Sequence, residues 1–363
     1  MPAGELIRQG QHVMTVCNAC RYCEQYCPVF PAMENRLTFA TADLTYLANL
    51  CHNCGECLYA CQYAPPHEFA INVPRTLAEI RAHSYEHYCW PRSLGLAFRH
   101  SNLLTGAGLA AALIAIMFAA TLVVNGGRLP RPVGAGDFYA VVPHDVMVIL
   151  FGGVFLFVLA AIGVATVRFW RDVQAVTPPP TRGPAAGVRA LRDVLTLRHL
   201  HGSGADCTSA EETRRPWRRW FHHCAFYGFL LCFASTSVAA IYDAIGWRAP
   251  HGYGSLPVLL GTAGGVALLV GPAGLLLQRR RRDPSLGGPA QDGLDQSFIA
   301  LLLLTALTGL LLLVLRERAV MSALLIVHLG AVLALFLTLP YGKFVHGIYR
   351  AAALVAYARE SRV

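Results

Sequence analysis

Charge is scarce in this 363-residue chain. Only 14% of residues are charged, against 55% hydrophobic, and mean hydropathy is +0.44. A single soluble globule needs a more polar coat than that, so the composition points to a membrane protein with a polar head. Acidic residues are scarcer still, 21 against 30 lysines and arginines, for a net charge of +9. The basic residues, nearly all arginine, sit beside apolar runs, so they read as a positive-inside bias and no nucleic acid is expected as a partner. No G-x-G-x-x-G lies between a strand and a helix, so neither FAD nor NAD is expected to bind this chain. A nucleophile–base constellation is also lacking, and the chain is not expected to be a substrate dehydrogenase itself. The opening MPAGELIRQGQHVMTV holds no apolar core of useful length. No secretory signal is therefore expected, and the N-terminal domain belongs in the cytosol.

What the chain does have is cysteine in a pattern. Eight of its twelve cysteines form two copies of C-x2-C-x2-C-x3-C: Cys17, Cys20, Cys23 and Cys27, then Cys51, Cys54, Cys57 and Cys61. This is the run that wraps a [4Fe–4S] cluster, three thiolates coming from one tight loop and the fourth from further along. A zinc ribbon uses paired C-x2-C units and has no use for a third cysteine at +6 and a fourth at +10. Disulfides among thiols this close would be strained. Two copies imply two clusters, and two neighbouring clusters make a path for single electrons. The run resembles that of two-cluster ferredoxins, in which the fourth cysteine ligates the other cluster. By that resemblance Cys17, Cys20, Cys23 and Cys61 hold cluster 1, and Cys51, Cys54, Cys57 and Cys27 hold cluster 2. The copies differ at the next residue, Pro28 after the first and Gln62 after the second. Cys89, Cys207, Cys224 and Cys232 match no ligand spacing.

Beyond residue 100 six apolar stretches are long enough to cross a bilayer, at about 102–124, 146–167, 220–241, 255–277, 297–315 and 319–340. The connections 168–219 and 279–296 are rich in arginine, whereas 125–144 and 242–253 are not. The positive-inside rule therefore puts the first pair, and both termini, in the cytoplasm. The short basic turn RER at 316–318 runs against this rule. The fold class expected is mostly α: a ferredoxin-like, helical two-[4Fe–4S] domain followed by a six-helix transmembrane, cytochrome-b-like domain. Its parts are a di-cluster domain 1–70, a connector 71–100 and a membrane hairpin 101–171. A cytoplasmic linker 172–216, a four-helix haem-binding unit 217–350 and a cytoplasmic tail 351–363 complete it.

Ionisable groups in or beside membrane spans are costly and usually functional. His222 and His223 open the third span, His328 lies inside the sixth, and His346 follows it. The alternating topology brings His222 or His223 to the depth of His346, on two different helices. That is the arrangement for bis-histidine ligation of a haem b. His328, 18 residues before His346, belongs near the opposite leaflet, where it could serve a second haem or be a buried imidazole bonded to its helix. A quinone beside the cytoplasmic-side haem could be met by Lys343, whose alternative is to snorkel to the headgroups.

The double-cluster head joined to six spans resembles the tricarballylate-utilisation protein B family (CitB/TcuB), over nearly the full length. The four-helix unit is similar to the gamma subunit of respiratory nitrate reductase and to heterodisulfide reductase membrane subunits. In those, a histidine lies five residues before a glycine, which favours His223 (before Gly228) over His222. Their second histidine on that helix falls at Phe233 here, which leaves His328 without its family partner. The resemblance implies a protein of the bacterial inner membrane that takes electrons from a soluble FAD-dependent tricarballylate dehydrogenase and passes them to quinone. The alternative is the electron-transfer subunit of a heterodisulfide reductase-like or other respiratory dehydrogenase complex.

Overall fold

The computed structural model describes residues 3–98, 103–130, 137–177, 185–201 and 216–360, and among these no strand occurs. The Pro-rich segment 178–184, the Gly/Ser-rich stretch from 202 onward and Cys207 lie outside the described residues.

The head is built from five short helices: α1 (Ala3–Cys20), α2 (Val29–Glu34), α3 (Thr41–Leu50), α4 (Glu56–Tyr59) and α5 (Val73–Tyr88). In α1 the buried residues Leu6, Gly10, Val13 and Met14 recur at helical spacing and form one apolar stripe. Gly10 lets this stripe approach closely, because a Cβ there would stand 2.7 Å from Ile80 of α5 and 3.0 Å from Leu44 of α3. Helix α3 is buried from Asp43 to Leu50 and forms the centre of the head; the Asp43 carboxylate accepts from the Ala40 N–H at 3.0 Å and closes its first turn. Helix α5 starts at Asn72, whose side chain accepts from Arg75 N–H at 3.0 Å, with Pro74 in the first turn.

After α6 (Arg92–Ala97) come six helices apolar and long enough to cross a membrane: α7 (Leu103–Val124), α8 (His144–Val176), α10 (Trp217–Ala244), α11 (Leu256–Arg280), α12 (Pro289–Val314) and α13 (Met321–Thr338). Between α8 and α10 lies α9 (Ala185–Leu195), and α14 (Val345–Glu360) ends the described chain. All six spans fall where the apolar runs were expected, and they fit a multi-pass membrane protein.

Side-chain ties sort the helix ends onto two faces. On one face His144 pairs with Asp243 at 2.8 Å, Ser322 donates to the Pro130 carbonyl at 2.6 Å, and Arg316 donates to the His251 carbonyl at 2.8 Å. Arg316 also lies over the Tyr253 ring, 3.7 Å from its centre. The RER turn is thus engaged by a neighbouring loop, which gives its charge a local partner.

The head docks on the other face. Tyr59 donates to Asp283 at 2.9 Å and Asn72 to the Ser285 carbonyl at 2.9 Å, both in the turn between α11 and α12. Helix α8 overruns its span, so that Tyr88 of α5 reaches Asp172 at 2.8 Å and Phe169 stacks on Tyr349 of α14 at 4.7 Å. Two parts of the chain are more ordered than their composition suggests. The stretch 172–216 contains α9, whose Ala186 and Ala190 are buried against α14, and residues 351–360 are not a tail but the body of α14, packed on the head.

Helices α10 and α11 meet backbone to backbone through glycine, the small-residue packing expected in a bilayer. A Cβ on Gly228 would stand 3.0 Å from the Gly264 carbonyl, and one on Gly271 would stand 2.5 Å from the Ala225 nitrogen. Gly271→Leu is accordingly expected to push the two helices apart at a cost of about 1–3 kcal/mol or more, read as a lower melting temperature of the detergent-solubilised protein.

Candidate redox centre

The eight motif cysteines are held on two loops that fold against each other. Helix α1 ends on Cys17 and Cys20, the following turn carries Cys23 and Cys27, and α2 begins two residues later. The second copy starts at Cys51, where α3 stops, and short α4 carries Cys57. Both loops turn left-handed immediately after their second cysteine, at Arg21 (φ 55°) and at Gly55 (φ 86°), a conformation that suits glycine best. After Cys61 the chain turns without a proline at 62, closed by Ala64 N–H on the Cys61 carbonyl at 3.2 Å.

Space, not sequence order, sorts the thiols. A cavity of about 240 Å³ is lined by Cys17, Cys20, Cys23 and Cys61, with Phe30, Tyr63 and Cys57, which borders both sites, among its walls. A second is lined by Cys27, Cys51, Cys54 and Cys57. The fourth cysteine of each run thus borders the cavity lined by the first three of the other. Among the described residues no three His, Cys, Asp or Glu side chains converge on one ion-sized point; at the first site the thiols line an open volume instead. Burial, then the neighbouring thiols, pushes the pKa of Cys17 and of Cys23 up to about 12, and burial likewise raises Cys27, Cys54 and Cys57. These thiols stay protonated until iron displaces the proton, so loading either site releases protons. Cys61→Ala should strip the first site of its fourth ligand and spare the second, and Cys27→Ala the reverse. Iron and sulfide analysis with EPR of each variant reads this directly.

The second site faces the bundle. Its Cys51 carbonyl accepts from two arginines, Arg81 of α5 at 2.6 Å and Arg350 of α14 at 2.8 Å. The adjacent His52 carbonyl accepts from Arg218 of α10 at 2.7 Å. One helical turn beyond Arg218 is His222, and one turn before Arg350 is His346. Their ring centres lie 6.0 Å apart, with the ring planes at 73° to one another.

The rings of the other two candidates, His223 and His328, have different partners. His223 stacks on Tyr227, 5.7 Å away and 13° from parallel. His328 sits against Gly309 and bonds through Nδ1 to the Thr308 hydroxyl at 3.0 Å. Phe233, the position opposite it by resemblance, packs on Phe155 of α8. Helix α13 stops at Thr338 and α14 starts at Val345, so His328 and His346 are on different helices rather than on one continuous rod. Lys343, in that break, does not snorkel: its side chain is 14% exposed and its ammonium lies 2.6 Å from Asp295 of α12, which Arg279 also approaches at 3.6 Å.

The comparisons with known proteins agree with this two-part build. Residues 10–87, which contain all eight motif cysteines, match the family model "Citrate utilization protein B Fer4-like domain". Residues 99–363, with all six apolar helices, match "Citrate utilization protein B". A curated relative, Citrate utilization protein B of Escherichia coli, is 49% identical over 354 residues, covering 97% of this chain and 92% of its own length. The chain belongs to the citrate utilization protein B family. No solved structure matches it. The Fer4-like head gives this family member an iron–sulfur electron-transfer role.

Within that role, reading the sequence missed Arg81, Arg218 and Arg350, which tie the second cysteine loop to α12, α10 and α14. The signal was present for two of them: Arg218–His222 and His346–Arg350 are both i, i+4 pairs, which share a helix face.

Proposed function

We propose that the chain is a membrane-bound electron-transfer protein that reoxidises a partner FAD-dependent dehydrogenase and delivers its electrons to the quinone pool. The partner's substrate is tricarballylate or a citrate-like acid, in keeping with the relative's name. The first cluster is the intake: its cavity reaches the surface beside Tyr22, which is 67% exposed. The second cluster is the exit toward the membrane.

The observation that carries the reading is the pair of neighbouring imidazoles, each one turn from an arginine tied to the second cluster's loop. A metal–imidazole bond of ~2 Å on each side, plus the ring radii, places ring centres roughly 6 Å apart, which matches His222 and His346. His346 donates from Nδ1 to the Lys343 carbonyl. Its neutral ring therefore keeps the Nε2 lone pair for a metal, and the carbonyl fixes its orientation. Burial first, then Lys343 and Arg350, holds His346 well below the usual histidine range, which keeps it neutral and ligand-competent. A haem b bound there would supply a one-electron relay between the second cluster and quinone. A second haem at His328 lacks a facing imidazole among the described residues. The basic residues Arg168, Arg171, Arg218, Arg219 and Arg279–Arg282 gather at the head-side ends of the spans, which supports a cytoplasmic head and C-terminus in a bacterial inner membrane.

Membranes bearing the full chain are expected to show b-type bands in reduced-minus-oxidised spectra, and these bands should bleach on adding a quinone. Clusters without such bands would remove the haem and leave the clusters to reduce quinone directly. Quinone is placed beside the Lys343–Asp295 pair, where the ammonium has further protons to donate. Lys343→Gln should slow quinone reduction about tenfold, as loss of a charged hydrogen bond worth roughly 1.5 kcal/mol implies, with haem bands intact. An unchanged rate would take Lys343 out of the quinone site.

A further inference from the structure

We infer that Arg81 and Arg350 hold the second cluster at a higher reduction potential than the first, making the Cys27, Cys51, Cys54 and Cys57 site the electron sink of the pair. The inference rests on the two-cluster reading of the head.

Both guanidiniums converge on one atom, the carbonyl oxygen of the ligand Cys51. The other polar partners of Arg81 are also neutral: the Ala48 carbonyl at 3.1 Å and the Gln291 side-chain oxygen at 3.0 Å. Arg81 is 2% exposed. Among the described residues, the Nε of Arg350 is buried without a hydrogen-bond partner. Two cations so placed, with only neutral acceptors, are costly unless a negative charge stands near them. A cubane bound by four thiolates carries net negative charge, and reduction adds one more unit. Lying behind the Cys51 carbonyl, the arginines offset that charge, and they offset it more in the reduced state.

Two effects compete over the potential. Cys51 and Cys54 are buried, whereas the first site's cysteines are partly exposed; low dielectric alone would make the buried cluster harder to reduce. The same low dielectric strengthens the attraction of two full positive charges held in place. A backbone donor adds to it, Asn53 N–H pointing at Cys51 Sγ at 3.4 Å. Hydrogen bonds to cluster sulfurs and nearby charge are what set such potentials. Thiols crowd the cysteines of both sites and Glu56 lies near both Cys23 and Cys54, so these negative groups do not separate the two; the arginines, Arg218 near Cys54 and Arg350 on Cys51, stand at the second. The arginines therefore win, and an electron entering at the first cluster runs downhill to the second.

EPR-monitored redox titration of the purified full chain tests this. Cys20→Ser and Cys54→Ser assign the two signals to their sites. The expected result is a higher midpoint for the second cluster. In Arg350→Gln that midpoint should fall by at least a tenfold change in its equilibrium with the first, about 59 mV for one electron. The first cluster's midpoint should hold still, and Arg350→Lys should restore most of the shift. A second cluster already lower than the first in the unaltered protein overturns the inference, and so does an Arg350→Gln midpoint equal to wild type. If Arg350→Gln does not fold, Arg81→Gln and the wild-type ordering decide the question in the same way. Fewer than two clusters by iron and sulfide content would instead overturn the two-cluster reading, and this inference with it.

Discussion

Alanine at His222 or at His346 is expected to abolish the b-type bands of membranes carrying this protein, and alanine at His223 to leave them. Two axial bonds hold a bis-histidine haem, and each alanine removes one of them outright. The three histidines differ in what their rings face. The ring centres of His222 and His346 lie 6.0 Å apart, and His346 has its Nδ1 committed to the Lys343 carbonyl. His223, one residue on and so about 100° around the helix, lies flat against Tyr227 of its own helix. Reduced-minus-oxidised spectra at equal protein content, with total iron measured alongside, separate haem loss from loss of the clusters. Bands that survive in His222→Ala and vanish in His223→Ala would reverse the assignment.

Replacing Arg36 by methionine is expected to cost about 3–5 kcal/mol, the usual penalty for removing one partner of a buried ion pair. Arg36 is the lock between the head and the last helix. It holds Asp43 at 2.8 Å and Glu360 at 3.2 Å, with side chains only 4%, 10% and 1% exposed. It also reaches the Val176 carbonyl at the end of α8 at 3.2 Å and covers the Tyr46 ring at 4.7 Å. Without it two buried carboxylates face each other with no cation between them. Helix α14 should then loosen from the head, and because α14 carries His346 and Arg350, both the proposed haem site and the second cysteine loop should loosen with it. Thermal unfolding in detergent and limited proteolysis within 345–360 read the effect. Glu360→Gln, which keeps the shape and removes one charge, should cost less. A melting temperature unchanged in Arg36→Met would mean that the burial cost of these charges cancels their attraction.

Much of this protein is legible one residue at a time. Cluster ligands lie close together in the chain because a tight loop must wrap three irons, so eight cysteines declare themselves by spacing. Apolar runs long enough for a bilayer declare the six spans, since lipid offers the backbone no other hydrogen-bond partner than its own helix. Periodicity also exposed the histidines at the ends of those spans. It could not choose between His222 and His223, because adjacent residues differ only in azimuth, and azimuth is set by how α10 leans on the glycines of α11. Nor could it see that 351–360 is part of a packed helix rather than a tail: Ala353, Leu354 and Ala356 are apolar in no run long enough to stand out, and their burial comes from α3 and α8, far away in the chain.

By itself, then, the order of residues determined the chemistry available, two sets of four thiols and a handful of intramembrane histidines, because ligands for a cluster and spans for a bilayer are local patterns. Tertiary structure alone decided how those pieces face one another. It brought His222 to His346, and put Arg81, Arg218 and Arg350 from three separate helices on the loop of the second cysteine run. Such contacts join residues up to 299 positions apart. Their geometry depends on helix crossings and on burial of charge, neither of which leaves a periodic mark in the chain.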